Sequence, residues 1–301
     1  MNQTIEKARA MKKPEPVAMP ASGETAFGFP RNFLENRFVY VVVSPRARGL
    51  SIGINMNPDK RCDFDCVYCE VNRQVPGRDR ELDVEVMAHE LEQTLRLAYQ
   101  GKLRQIPLYR HLPEELLQLR HVALSGDGEP TLCPRFAEAA QAVVHVRARG
   151  QFPFFKIVLI TNGTGLEASA VQQGLKCFTK QDEVWAKLDA GTQTYMNKVN
   201  RPGVTLDQIL GNILTLGRQR PVVIQSLFQM HNGMEPPEEE ILQYVARLKE
   251  LKEQGTQVSL VQIYSATRPP SRALCDHLPL KNLSRIAQMV RKTAGLNAEV
   301  F

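Results

Sequence analysis

The sequence contains no run of about 18 or more apolar residues, so it offers no membrane-spanning helix. Its opening stretch, MNQTIEKARAMKKPEPVAMP, lacks the apolar core of a secretory signal. Glu6, Glu15 and Glu24 interrupt what would have to be an acid-poor transit peptide. The expected compartment is therefore the reducing cytoplasm, where clustered cysteines bind metals or act in catalysis more often than they form disulfides. No cysteine precedes Cys62. The six histidines (His89, His111, His121, His145, His231 and His277) show no paired ligand spacing. A strong charge of either sign is also missing. The net charge is +6 with a pI near 9.0. The excess lies at Arg46, Arg48, Lys60 and Arg61, and again at Arg268, Arg272, Lys281, Arg285, Arg291 and Lys292. A nucleic-acid footprint is a clustered basic face rather than a high pI. These charges read as a solvated surface, and RNA as a partner is not favoured.

The rest of the composition is that of an ordinary globular protein, with 43% hydrophobic and 23% charged residues in 301. That length suits one α/β barrel and is enough to enclose a reactive intermediate.

Half of the cysteines sit in eight residues, Cys62-Asp63-Phe64-Asp65-Cys66-Val67-Tyr68-Cys69. The spacing C-x3-C-x2-C supplies three thiolates. Thiolates are soft donors that select iron–sulfur clusters, zinc or copper(I). A structural zinc site is closed by four protein ligands, and the nearest downstream imidazole, His89, falls on an expected helix. A [4Fe–4S] cluster with one open iron fits three cysteines on a short loop. A zinc-stabilised nucleic-acid-binding module is the competing reading, and it requires a fourth ligand. Cys133, Cys177 and Cys275 show no ligand spacing and read as small buried hydrophobes.

Residues 1–30 are rich in proline, alanine and charge and read as a flexible arm. Residues 31–301 follow as one domain, with a core at about 40–265 and a C-terminal helical extension at 266–301. Strand-like runs at 38–43, 50–55, 119–124, 155–160, 184–188, 222–228 and 258–264 are separated by helical patterns at 83–98, 134–147, 166–173, 206–216 and 238–252. A last helix is expected at 281–292. Strands alternating with helices imply a parallel sheet with right-handed crossovers. About six such units follow the first strand, giving an α/β fold: a partial (β/α)6 TIM-like barrel with a parallel sheet. Chemistry in such folds sits at the C-terminal ends of the strands. The polar and glycine-rich segments fall there: the cysteine loop, Gly126–Pro130, Thr161–Gly163, Lys187–Asp189, Gln225–Gln229 and Ser265–Arg268.

These features resemble the radical S-adenosylmethionine (SAM) superfamily. Cys62, Cys66 and Cys69 fit its cysteine loop, with Tyr68 at the aromatic position. Gly128-Glu129-Pro130 fits its Gly-Glu-Pro motif. Leu50–Asn55, Ser125–Leu132 and Lys187–Gly191 further resemble uncharacterised Fe–S oxidoreductases related to the tRNA-wyosine radical SAM enzymes. Those tRNA enzymes carry a second cluster on N-terminal cysteines, which this sequence does not have before Cys62. The resemblance implies one [4Fe–4S] cluster on Cys62, Cys66 and Cys69, with S-adenosyl-L-methionine on its open iron. It implies a 5′-deoxyadenosyl radical that abstracts hydrogen from an unidentified substrate. An external electron donor of flavodoxin or ferredoxin type would reduce the cluster. The SAM contacts it implies are Tyr68, Gly126, Gly128, Glu129, Pro130, Asn162, Lys187, Asp189 and Gln225, with Glu129 or adjacent carbonyls receiving the methionine ammonium. Arg201 is a further candidate for an anionic group. An RNA- or tRNA-modifying radical SAM enzyme is the alternative within the same chemistry.

Overall fold

The β-branched run Val39-Tyr40-Val41-Val42-Val43 alternates buried and half-buried side chains, as a strand with one covered face must. It forms β1 (Val39–Ser44) in a computed structural model that describes residues 26–27, 33–266 and 275–301. Most of the expected N-terminal arm, together with Arg268 and Arg272, lies outside the described residues. β1 is an antiparallel edge strand paired with β2 (Gly49–Asn55), which is buried along its whole length. The remaining strands are β3 (Leu119–Ser125), β4 (Lys156–Thr161), β5 (Glu183–Lys187), β6 (Val222–Leu227), β7 (Gln229–His231), β8 (Val258–Tyr264), β9 (Cys275–His277) and β10 (Ala298–Val300). The main sheet runs β1-β2-β3-β4-β5-β6-β8-β10, parallel from β2 onward, while β7 and β9 form a small antiparallel pair.

Six parallel strands, β2 to β6 and β8, make the expected partial (β/α)6 barrel. Helices α1 (Val84–Tyr99), α2 (Phe136–Ala148), α3 (Ser169–Leu175), α4 (Gln193–Val199), α5 (Leu206–Gln219), α6 (Glu238–Glu253) and α7 (Leu280–Met289) complete the chain. Asp83 caps α1 by accepting from the Glu85 and Val86 amides, satisfying two of its orphan donors. Thr205 caps α5 in the same way, and three glutamates occupy the first turn of α6, where they complement its dipole. Met87, Leu91 and Leu95 of α1, and Ile209 and Ile213 of α5, join Val122, Leu124, Ile157, Leu159, Ile224 and Ile263 in one core on the convex side of the sheet.

The other face of the sheet is concave. Ser51, His121, Ile160, Trp185, Lys187, Leu227 and Tyr264 line a cavity of about 320 Å³. Arg48 in the β1–β2 turn pairs with Glu299 of β10, at the other end of the strand order, at 2.6 Å. A second tie fixes the edge strand. Glu90 on α1 accepts from the amides of Arg37, Phe38 and Val39 at 2.7, 2.9 and 3.1 Å. At the C-terminus, α7 passes into a π-helical turn at Val290–Ala294, and the chain then returns to the sheet as β10 beside β8. The expected helix at 281–292 is thus followed by a strand. Its three residues, Ala-Glu-Val, are too few to show a period of two in the sequence.

Candidate active site

The cysteine loop leaves the C-terminal end of β2 and is held there from three sides. The first tie is the glycine-rich turn after β3. Gly126 sits at φ +132°, and a Cβ there would stand 2.3 Å from Asn55 Oδ1. A Cβ on Gly128 would stand 2.0 Å from the Arg61 carbonyl, one residue before Cys62. Only a residue without a side chain allows these backbones to approach so closely. The Glu129 amide then donates to that same Arg61 carbonyl at 2.9 Å, and Asn55 exchanges two hydrogen bonds with Asp127.

The second tie is Asn162, at the end of β4. Its Nδ2 donates to Asp63 inside the loop at 2.7 Å, and its Oδ1 accepts from Thr164. The third is the end of α4. The Asp65 and Val67 amides donate to the Asn200 and Val199 carbonyls at 3.0 and 2.9 Å. Arg201 lies at the surface, 3.5 Å from Asp65.

Glu129 links two strand ends. Its side chain is buried and accepts from the Thr131 amide (3.1 Å), Thr131 Oγ1 (2.7 Å), Thr161 Oγ1 (2.5 Å) and the Asn162 amide (2.7 Å). Burial pushes its pKa above the ordinary carboxylate range, and these four donors pull it back. The carboxylate ties the end of β3 to the end of β4. Pro130 opens the short turn that follows, where its missing N–H costs nothing.

Lys187 and Asp189 meet at the end of β5, 3.5 Å apart. Asp189 is the hub. Its Oδ1 accepts from the Leu227 amide at 2.8 Å, and its Oδ2 accepts from Tyr68 Oη and from Asn200 Nδ2. Asn200 Nδ2 is also 3.5 Å from Cys66 Sγ. Lys187 Nζ donates to Tyr264 Oη at 3.2 Å and lies 5.1 Å from the centre of the Tyr68 ring. Burial pulls the Lys187 ammonium down, but Asp189, Tyr264 and Cys66 outweigh it and hold its pKa above the ordinary lysine value. Burial, with Asp189 beside it, drives the Tyr68 phenol up. Asn200 and Tyr264 belong to this cluster although no motif marked them; only the return of β8 and α4 to the strand ends brings them in. Gln225, fully buried on β6 between Lys187 and Gln262, donates to Gln262 at 2.9 Å, while its own Oε1 has no partner.

Cys62, Cys66 and Cys69 form no disulfide and are half-buried. Burial pushes the Cys62 thiol up to about 12 and the Cys66 thiol up to about 11, with Lys187 and Asn200 drawing Cys66 back. Among the described residues no three Cys, His, Asp or Glu side chains gather around one point, and no fourth ligand joins the loop. The zinc-stabilised reading requires that fourth ligand. A four-iron cluster makes a different demand, one thiolate on each of three separate irons, and the three cysteines of this loop supply that donor set. Cys133 and Cys275 are buried, and Cys177 is half-buried against the Gln173 carbonyl.

Below this rim the cavity has a polar floor. His121 Nε2 and Ser51 Oγ are 2.9 Å apart, and the imidazole meets the Trp185 ring edge-on at 5.2 Å. No helix among the described residues is long and apolar enough to cross a membrane.

Residues 56–239 match the family model of the Radical SAM superfamily. The chain is 25% identical over 272 residues to a UPF0026 protein of Helicobacter pylori, covering 84% of this chain and 79% of that one. It is 25% identical over 260 residues to a UPF0026 protein of Methanocaldococcus jannaschii, covering 85% and 71%. Among solved structures, the fold is similar to TYW1 with a lysine–pyruvate adduct bound (TM-score 0.54, 19% identity, 87% of this chain and 78% of that one). It is also similar to Streptococcus suis SuiB bound to S-adenosylmethionine (TM-score 0.52, 16% identity, 85% and 49%). The family match spans more than half of the chain and contains the whole cysteine loop and the turn after β3, and the chain belongs to the radical SAM superfamily of enzymes.

Proposed function

We propose that this enzyme binds one [4Fe–4S] cluster through Cys62, Cys66 and Cys69 and cleaves S-adenosyl-L-methionine reductively, to begin hydrogen abstraction from a small substrate in the concave cavity. One observation carries this reading. The end of the cysteine loop lines that cavity, where Tyr68 and Cys69 stand in its wall beside Gly126. When bound, the cluster and SAM supply the electron and the 5′-deoxyadenosyl radical; the protein supplies orientation and protection.

The chain's own residues divide that work. Gly126 and Gly128 bring bare backbone to the loop, so carbonyls of this turn rather than the engaged Glu129 carboxylate receive the methionine ammonium. Glu129 and Asn162 fix the turn and the loop to each other. Lys187, held charged by Asp189, offers the SAM carboxylate a cation at the rim. Tyr68 gives the adenine a flat apolar wall, and Gln225 Oε1 offers an unused acceptor. The apolar lining from Ile160, Leu227 and Tyr264 keeps water from a radical. The electron comes from an external donor of flavodoxin or ferredoxin type. RNA as the substrate gains no support from the cations, many of which are paired with carboxylates, as in Arg37–Asp79, Arg48–Glu299 and Arg147–Asp182.

Anaerobic reconstitution tests the proposal. The protein is expected to hold about four irons and to give a reduced-cluster EPR signal that changes when SAM is added. Bound zinc, with no release of 5′-deoxyadenosine under dithionite, would contradict it.

A further inference from the structure

Arg73 stands four residues beyond Cys69 and folds back across the cysteine loop. Its Nη1 donates to the Phe64 carbonyl at the centre of the loop. Its Nη2 lies 4.0 Å from Cys69 Sγ. Its charge reaches Cys62 as well, where it opposes the effect of burial on the thiol. The third donor, Nε–H, is buried without a hydrogen-bond partner.

A guanidinium with one donor on the loop backbone, one beside a ligand sulfur and one unused is placed to serve sulfur. The potential of an iron–sulfur cluster depends on net charge, hydrogen bonds to its sulfurs and solvent exposure. Arg73 supplies a positive charge. It supplies a hydrogen bond toward sulfur, and in a half-buried site that charge is screened less than at the surface.

We propose that Arg73 is a positioning residue that raises the reduction potential of the cluster on Cys62, Cys66 and Cys69, stabilising the one-electron-reduced form by its charge and by N–H donation to sulfur. The inference rests on the cofactor reading above. One electron enters from the external donor, and Arg73 neither gains nor loses a proton.

The test is an EPR-monitored redox titration of the reconstituted protein without substrate. At a fixed applied potential, R73Q is expected to lower the ratio of reduced to oxidised cluster about tenfold, equivalent to a midpoint about 59 mV more negative for one electron. R73K keeps the charge and loses the fork, and is expected to fall between R73Q and wild type. A merely structural role would lower iron content in both variants and leave the midpoint of the remaining cluster in place. An unchanged R73Q midpoint, or equal shifts in R73K and R73Q, would overturn the proposal. Should R73Q hold no iron, R73K carries the test, and an R73K midpoint equal to that of wild type would overturn the proposal. A wild type that takes up no cluster overturns the cofactor reading and this inference with it; a loaded wild type with an unshifted R73Q overturns only the role of Arg73.

Discussion

Acidification should weaken this fold through His121. The imidazole is 3% exposed, bonded to Ser51 Oγ and set edge-on against Trp185. Burial, with the charges of Lys156 and Arg46 behind it, lowers its pKa to about 3. In the unfolded chain it returns to about 6.5. Between those two values the unfolded state binds the proton and the folded state does not, so stability falls as the pH drops through that window. Each pH unit corresponds to about 1.36 kcal/mol. Moving from neutrality to about pH 4.5 spans about two units of the window and should remove about 2.7 kcal/mol through this residue alone. The assay is urea denaturation at both pH values, read by the fluorescence of Trp185, the sole tryptophan. Other groups titrate too, so the same pair of measurements is made on H121Q, which does not ionise. Wild type should lose about 2.7 kcal/mol more than H121Q on acidification. Equal losses in the two proteins would refute the reasoning.

Three further outcomes are expected. Gly128→Ala places a Cβ 2.0 Å from the Arg61 carbonyl. The loop must shift, which should cost about 1–3 kcal/mol and most of the bound iron, measured by thermal unfolding and iron content; full iron occupancy would contradict the close approach. Asp189→Asn leaves the Lys187 charge without its partner and should destabilise the protein by about 3 kcal/mol in denaturant, whereas a loss below about 1 kcal/mol would show that the pair is not structural. Asp83→Ala removes the cap of α1 and should cost about 1 kcal/mol with iron content unchanged, since α1 lies on the convex side of the sheet.

The parallel strands were legible because each is a short apolar run followed by a polar or glycine-rich end. That pattern also put Gly126, Asn162 and Lys187 at the strand ends, where the structure places them. What the sequence hid were contacts made at a distance. Asn200 looks like a loop residue beside Arg201, yet its amide bridges Asp189, Tyr68 and Cys66. Tyr264 is an unremarked strand terminus until β8 brings its hydroxyl to Lys187. Glu90 sits on an amphipathic helix like any exposed acid, and only the fold shows it capping the amides of an edge strand. The same holds for Glu129. Its motif marks it as important, but only the geometry shows its carboxylate occupied by four donors. β10 escaped because three residues carry too little pattern to announce a strand.

The most direct test of the account is single-turnover chemistry on the reconstituted enzyme. Protein loaded with iron and sulfide under anaerobic conditions, reduced with dithionite and given SAM should release 5′-deoxyadenosine and methionine. The triple variant C62A/C66A/C69A, under the same conditions, should hold no cluster and release neither. Cleavage by the triple variant, or a wild type that holds a full cluster and leaves SAM intact, would contradict the central claim.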